Sequence, residues 1–299
     1  IIGGAGGALT VGAGTQTLSG VNTYTGATTI GNGTLALSGS GSIASSSQVN
    51  IPNAVGTFDI SGTTAGSTIT TLNGFPFGGN VTLGNQTLTI SNGSTTYGGV
   101  IGGTGGVTLT AGTLTLAGNN TYFGATTING GTLALQGGSI FSSQVNLANA
   151  AGTFDISGAF GATGIQGLNG VANSHVTLGS NTLGLNGCCT NYAGIIGGTG
   201  GLTANNVFTY TLSGVNTYTG ATTINAGTLL LSGSGSIASS SQVNLASGGS
   251  TFDISTTTAG ATVKTLNGVA GSTVALGNKT LIRDLVSEIA PPEERLIRE

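Results

Sequence analysis

Three carboxylates in this 299-residue chain recur in one phrase: Asp59 in GTFDIS (56–61), Asp155 in GTFDIS (152–157) and Asp253 in STFDIS (250–255). Paired carboxylates do acid–base work on a glycosidic bond only when both lie within about 10 Å of it. These three are 96 and 98 residues apart, and no Lys or Arg precedes Lys264, so no neighbouring cation is at hand to hold an anionic intermediate. The only histidine, His175, has no second His or Cys close to it in sequence; it reads as a surface or edge residue and not as a metal ligand or base. Cys188 and Cys189 are adjacent. Neighbouring Cα atoms are about 3.8 Å apart, below the usual disulfide span of about 4.4–6.8 Å, so the pair reads as two free thiols in a loop, with a vicinal disulfide as the alternative. Three glycine runs, GGAGG (3–7), GGTGG (102–106) and GGTGG (197–201), are followed by no Lys. They lack the parts of a phosphate loop and read as turns or places where two backbones approach closely.

What positions these residues is a repeat. GVNTYTGATTI stands at 20–30 and again at 214–224, with GNNTYFGATTI at 118–128. Tyr24, Tyr122 and Tyr218 are 98 and 96 residues apart, the spacing of the aspartates, and TLNG (71–74), GLNG (167–170) and TLNG (265–268) keep the same step. The chain is therefore about three copies of a unit of roughly 97 residues, which implies a stacked architecture. It begins partway through a unit and contains no Met, as expected of a segment cut from a longer protein.

Composition narrows the class. Charged residues make up 4% of the chain, against about 25% in ordinary domains. Before residue 264 the only formal charges on side chains are the three aspartates, which excludes a nucleic-acid or anionic-lipid surface. The sequence is rich in Thr, Val and Ile, unlike a disordered chain, and no apolar run approaches the length of a membrane-spanning helix. Segments such as GTLALQG (131–137), SQVNLA (143–148) and HVTLGSNTLGL (175–185) alternate polar and apolar residues, which places alternate side chains on opposite faces of a strand. Gly, Asn and Ser clusters between them supply the turns. Successive strands of one type follow at about 20–23 residues, the coil length of a β-solenoid. The expected fold is an all-β parallel β-helix of roughly 14 coils, about 65 Å long at ~4.8 Å per coil. The three aspartates are then about 19–24 Å apart along the rod, too far to cooperate, and each is expected at the same corner, accepting turn amides. A calcium cage is not supported by a lone carboxylate.

Within the repeated phrase, alternation puts Ala27 and Thr29 on one face and Thr28 and Ile30 on the other. Asn22, Asn120 and Asn216 precede the tyrosines at a turn, where their amides can bond local backbone. These asparagines, with Tyr24, Tyr122 and Tyr218 and with Asp59, Asp155 and Asp253, read as structural positions. An exposed tyrosine ladder that stacks sugars is the alternative for the tyrosines.

Residues 22–35, 120–133 and 216–229 fit the pattern N-T-Y-T-G-x-T-x-I-x-x-G-T-L, with Phe123 the one departure. The sequence resembles the passenger repeats of bacterial autotransporters. That resemblance implies a right-handed parallel β-helix exported through the outer membrane, displayed at the cell surface or outside it, and borne in the parent chain by a translocator barrel that this segment lacks. It implies a surface or stalk role in type V secretion, with an adhesive tip or a host-surface or glycan ligand left open, and no specified enzyme activity or cofactor. A glycan- or ice-binding solenoid is the second reading, and a polysaccharide lyase or hydrolase the third.

The repeat pattern ends at Leu281: LGNKTL (276–281) matches LGNQTL (83–88), after which IRDLVSEIAPPEERLIRE holds all three arginines and five of the eight acids. Residues 1–281 are expected to form the solenoid and 282–299 a charged tail. Ile282, Leu285, Val286 and Ile289 follow helical spacing, so 282–290 is expected to form a short amphipathic helix, stopped by Pro291 and Pro292. The tail is either a cap on the last coil or a scar of frameshift or fusion.

Overall fold

A computed structural model describes residues 1–74, 76–188 and 190–284. Every regular element among them is a β-strand, most only three residues long, and every strand pair is parallel. A strand of three residues such as Thr28–Ile30 buries its first and third side chains and turns the middle one outward. The T-x-I pattern therefore suffices to define inside and outside. Strands stack coil upon coil on three faces. One face is an 11-stranded sheet running from Ser67–Ile69 to Thr273–Ala275; of the other two, one is split into two shorter sheets and the other into three. The rod has about 14 coils. Paired strands are between 19 residues apart (Leu9 to Thr28) and 23 (Val145 to Leu168), close to the spacing the sequence predicts.

Stacking places like residues on like. On successive coils Leu114, Leu133, Phe154, Val176 and Ile196 lie in register on one face. Ile69, Ile90, Leu109, Ile128 and Leu147 do so on another. All are buried, each contributing about 1.5–3 kcal/mol relative to exposure. The second and third glycine runs sit where coils crowd, whereas a Cβ at Gly4 or Gly6 of the first would meet nothing. A Cβ added at Gly105 would fall on the Gln86 carbonyl oxygen, and one at Gly200 on that of Asn181. Only glycine lets the backbones approach this far, which agrees with the close-approach reading of those two runs.

The 97-residue unit is not a whole number of coils. From Thr28 to Thr126 the chain passes fourteen faces, three to a coil, which is four and two-thirds turns. Each unit therefore starts one third of a turn away from the last. Thr28–Ile30, Thr126–Ile128 and Thr222–Ile224, identical in sequence, lie in three different sheets. Asp59, Asp155 and Asp253 likewise belong to three different sheets. The expectation that they share one corner is corrected: the same local sequence folds the same way but faces a different direction in each unit.

The expected boundary at residue 281 also shifts. Leu281–Arg283 forms a strand paired in register with Ala261–Val263, so Ile282 and Arg283 continue the solenoid and do not open a helix. Ladder pairing satisfies their backbone groups where helical spacing of the side chains offers only a weak preference. The Asp284 amide still bonds Val263 O, and residues 285–299 of the expected tail lie outside the described residues.

Candidate functional site

The asparagine of the repeated phrase sits at a break in the ladder. Asn120 is buried, and its side chain binds three successive coils: Oδ1 accepts from the Ile101 amide at 2.9 Å, while Nδ2 donates to Gly118 O in its own coil at 2.8 Å and to Ser139 O in the next at 3.1 Å. Asn22 makes the same three contacts to Ile2, Gly20 and Ser42, and Asn216 to Ile196, Gly214 and Ser236. The reading of a local turn bond is thus extended: the amide takes the Ile101 N–H and ties the coil below to the coil above. A buried N–H without a partner costs about 1–3 kcal/mol.

The tyrosines two residues on are all buried, Tyr24 and Tyr218 at 1% exposure and Tyr122 at 0%. That excludes the sugar-stacking ladder, because no ring face meets solvent. Alternation carries inward from Ile30 through Thr28 and Tyr24 to Asn22. Each phenol meets the threonine four residues on, at 2.6 Å for Tyr24–Thr28 and 2.7 Å for both Tyr122–Thr126 and Tyr218–Thr222. Thr28 and Thr222 reach Ser46 and Ser240 of the next coil at 2.9 and 3.0 Å, and those serines bond backbone carbonyls. A carbonyl cannot donate, so each serine spends its proton there and accepts from threonine; tyrosine in turn donates to threonine. Ser142 differs by accepting from the Thr126 amide at 3.0 Å. Burial pushes the Tyr122 and Tyr218 phenols well above their usual range and pushes Tyr192 up to about 12. The phenols are protonated donors at any ordinary pH. Thr28, Ser46 and their counterparts were not singled out from sequence, although SSQV recurs in every unit.

Each aspartate accepts one bond, from the amide two residues on, at 2.8 Å: Ser61 to Asp59, Ser157 to Asp155 and Ser255 to Asp253. The register slips by one residue immediately afterwards in all three strands, as Ala36↔Asp59 is followed by Ser38↔Gly62. The carboxylates therefore hold a bulge inside a strand, where the extra residue is left out of the ladder, and not a corner of the rod. His175 is exposed at the start of His175–Thr177. Cys188 is disulfide-bonded, which overturns the free-thiol reading for it; Cys189 lies outside the described residues.

Outward positions form rows along the rod. Thr68, Thr89, Thr108 and Thr127 lie in register, followed by Asn146 and Asn169. Asn186, Asn205 and Asn225 join side chain to side chain at 2.7 and 2.8 Å. Among the described residues no group of three His, Cys, Asp or Glu converges as a metal site would require. Nor is any helix long and apolar enough to cross a membrane.

Residues 11–37, 103–135 and 209–231 match one family, described as passenger-associated-transport-repeat. The matches fall on the N-T-Y phrase and the strands flanking it in all three units. No curated protein and no solved structure matches the chain.

Proposed function

We propose, for a chain that carries the repeats of an autotransporter passenger domain, the role of a rigid exported spacer: a solenoid rod that sets the distance between a cell surface and whatever the parent protein displays. The observation that supports it most is the fate of the repeated polar groups. The asparagines tie neighbouring coils, the tyrosine hydroxyls end in a buried chain of hydroxyls, and the aspartates hold bulges. The asparagines and tyrosines that each unit repeats are spent inside the rod on stacking, and the half-buried aspartates bond only their own strand. The unit also turns one third of the way round, so it offers no continuous face on which repeated catalytic groups would line up.

The repeat family implies a linked translocator in the parent chain and a place at the cell surface or outside the cell; a barrel translocator and passage through the outer membrane by type V secretion are part of the proposal. A right-handed winding is the expected one, since parallel crossover connections are right-handed in about 98% of cases. The ice-binding reading is weakened by strand length, because a three-residue strand turns one side chain outward and so gives one threonine row per face. The lyase or hydrolase reading lacks paired carboxylates.

The test is a parent chain displayed on cells with an epitope at its outer end. Removing one unit in frame, residues 29–126, is expected to keep the epitope displayed and bring it nearer the membrane by about 22 Å, on ~4.8 Å per coil. Loss of display, or an unchanged distance, sinks the spacer role.

A further inference from the structure

At three exposed places the middle unit carries a phenylalanine that its neighbours lack. Phe123 stands where the outer units have Thr25 and Thr219, Phe160 where they have Thr64 and Thr258, and Phe141 in place of Ala44–Ser45 and Ala238–Ser239. The three phenylalanines lie on consecutive coils: the Ser143 amide bonds Phe123 O, and the Gly137 amide bonds Gly158 O. Phe123 and Phe141 pack with ring centroids 5.8 Å apart at 44°, and the three rings are 49%, 57% and 90% exposed. None of this aromatic surface is taken up by the core, while all six tyrosines are buried.

Beside Phe160 is a cavity of about 320 Å³ lined by Asn119, Gly137, Ser139, Ile140, Phe160 and Gly164. Its glycines leave backbone accessible, Asn119 and Ser139 provide an amide and a hydroxyl, and no charged side chain lines it. The same groove recurs in the outer units, lined by Thr64 and Thr258 in place of Phe160. Only the middle one has an aromatic wall.

We propose that this cavity, with its aromatic wall, is a binding site for a neutral polysaccharide. An anionic ligand would find no cation there to offset its desolvation. A few polar groups within an apolar concavity fix the orientation of an uncharged ligand. Phe160 walls the cavity, and Phe141, packed on Phe123, directly follows the lining residue Ile140; rings at and next to the groove suit a linear polymer that presents a flat, apolar sugar face, and each ring gives rigid contact area. The site goes beyond the spacer role and stands without it, since it belongs to the purified chain in solution.

Binding of the purified chain to insoluble cellulose, chitin and starch, with alginate and heparin as anionic controls, tests it. The variant Phe123→Thr, Phe141→Ala, Phe160→Thr restores what the flanking units carry and should keep the fold, checked by circular dichroism. Retention on at least one neutral polymer, weakened tenfold or more in the variant and absent on the anionic ones, is the expected result. The proposal is overturned if no neutral polymer retains the wild-type chain, if the variant binds equally, or if an anionic polymer is preferred. It is also overturned if sedimentation shows the phenylalanines mediating self-association in place of sugar binding. A single Phe160→Thr change, which leaves the packed Phe123–Phe141 pair intact, serves if the triple variant does not fold.

Discussion

Replacing Asn120 by alanine should separate the stapling role of this side chain from a passive place in a turn. The two carbonyls it contacts keep backbone partners: Ser139 O still accepts the Asn120 amide at 2.8 Å, and Gly118 O the Ser139 amide at 3.2 Å. The Ile101 N–H loses the Asn120 oxygen, inside a residue that is fully buried. Leaving that N–H unsatisfied costs about 1–3 kcal/mol, and the two lost donor bonds add about 0.5–1.5 kcal/mol each before relaxation. Asn120→Ala should therefore destabilise by roughly 2–4 kcal/mol, or about 3–6 °C in melting temperature for a chain of this length if unfolding is concerted. Asn22→Ala should cost less, because Ile2 is 37% exposed and water can replace the amide oxygen. Asn120→Asp keeps the acceptor but replaces the donor Nδ2 by an oxygen that faces two carbonyls, which disfavours the charged form. A carboxyl whose folded pKa is raised stabilises fully below the unfolded value of about 3.9, and that stability is lost as pH rises through the folded pKa. The Asn120→Asp variant should thus be worse than alanine at pH 7 and recover toward pH 4, while the alanine variant stays flat. Denaturant unfolding of the three variants at both pH values measures this. A cost below about 0.5 kcal/mol for Asn120→Ala would refute the reasoning, since one buried orphan amide alone exceeds it.

Alkali should unfold the rod. All six tyrosines have raised pKa values from burial, so stability is fully present below the unfolded value of about 10 and falls as pH climbs toward the folded values. Each phenol contributes about 1.4 kcal/mol per pH unit over that window, and phenolate absorbance should rise together with loss of structure; titration near pH 10 with the fold intact would contradict it. The Ser67 hydroxyl is buried with no partner, and the third unit has Ala261 in its place, so Ser67→Ala should be neutral or stabilise by up to about 1–2 kcal/mol in a melting experiment. In the purified chain, deletion of residues 29–126 should leave a folded, shorter rod, because each coil contacts only its neighbours; scattering that reports an expanded chain would count against nearest-neighbour stacking.

The all-β solenoid, its coil length and the inward set Thr28 and Ile30 could be read from the sequence because strand alternation is local: side chains two apart share a face whatever the rest of the chain does. Carried two steps further back, the same alternation puts Tyr24 and Asn22 inside, so their burial was legible, though a polar residue in that parity is easily given to the solvent. The aspartate bulge was not. GTFDIS looks like an unbroken strand, and only its pairing with the previous coil reveals the extra residue. The continuation of the ladder through Ile282 and Arg283 was obscured by helical spacing, a weak local preference that pairing with Ala261–Val263 overrides. What the sequence alone determined is the unit: its length, its strands and its identical internal contacts. What only the tertiary structure decided is direction. Coil lengths of 19 to 23 residues add up over many turns, and small differences sum to a third of a turn per unit. Hence three identical phrases face three ways, and Phe123 and Phe141, 18 positions apart in sequence, pack ring against ring.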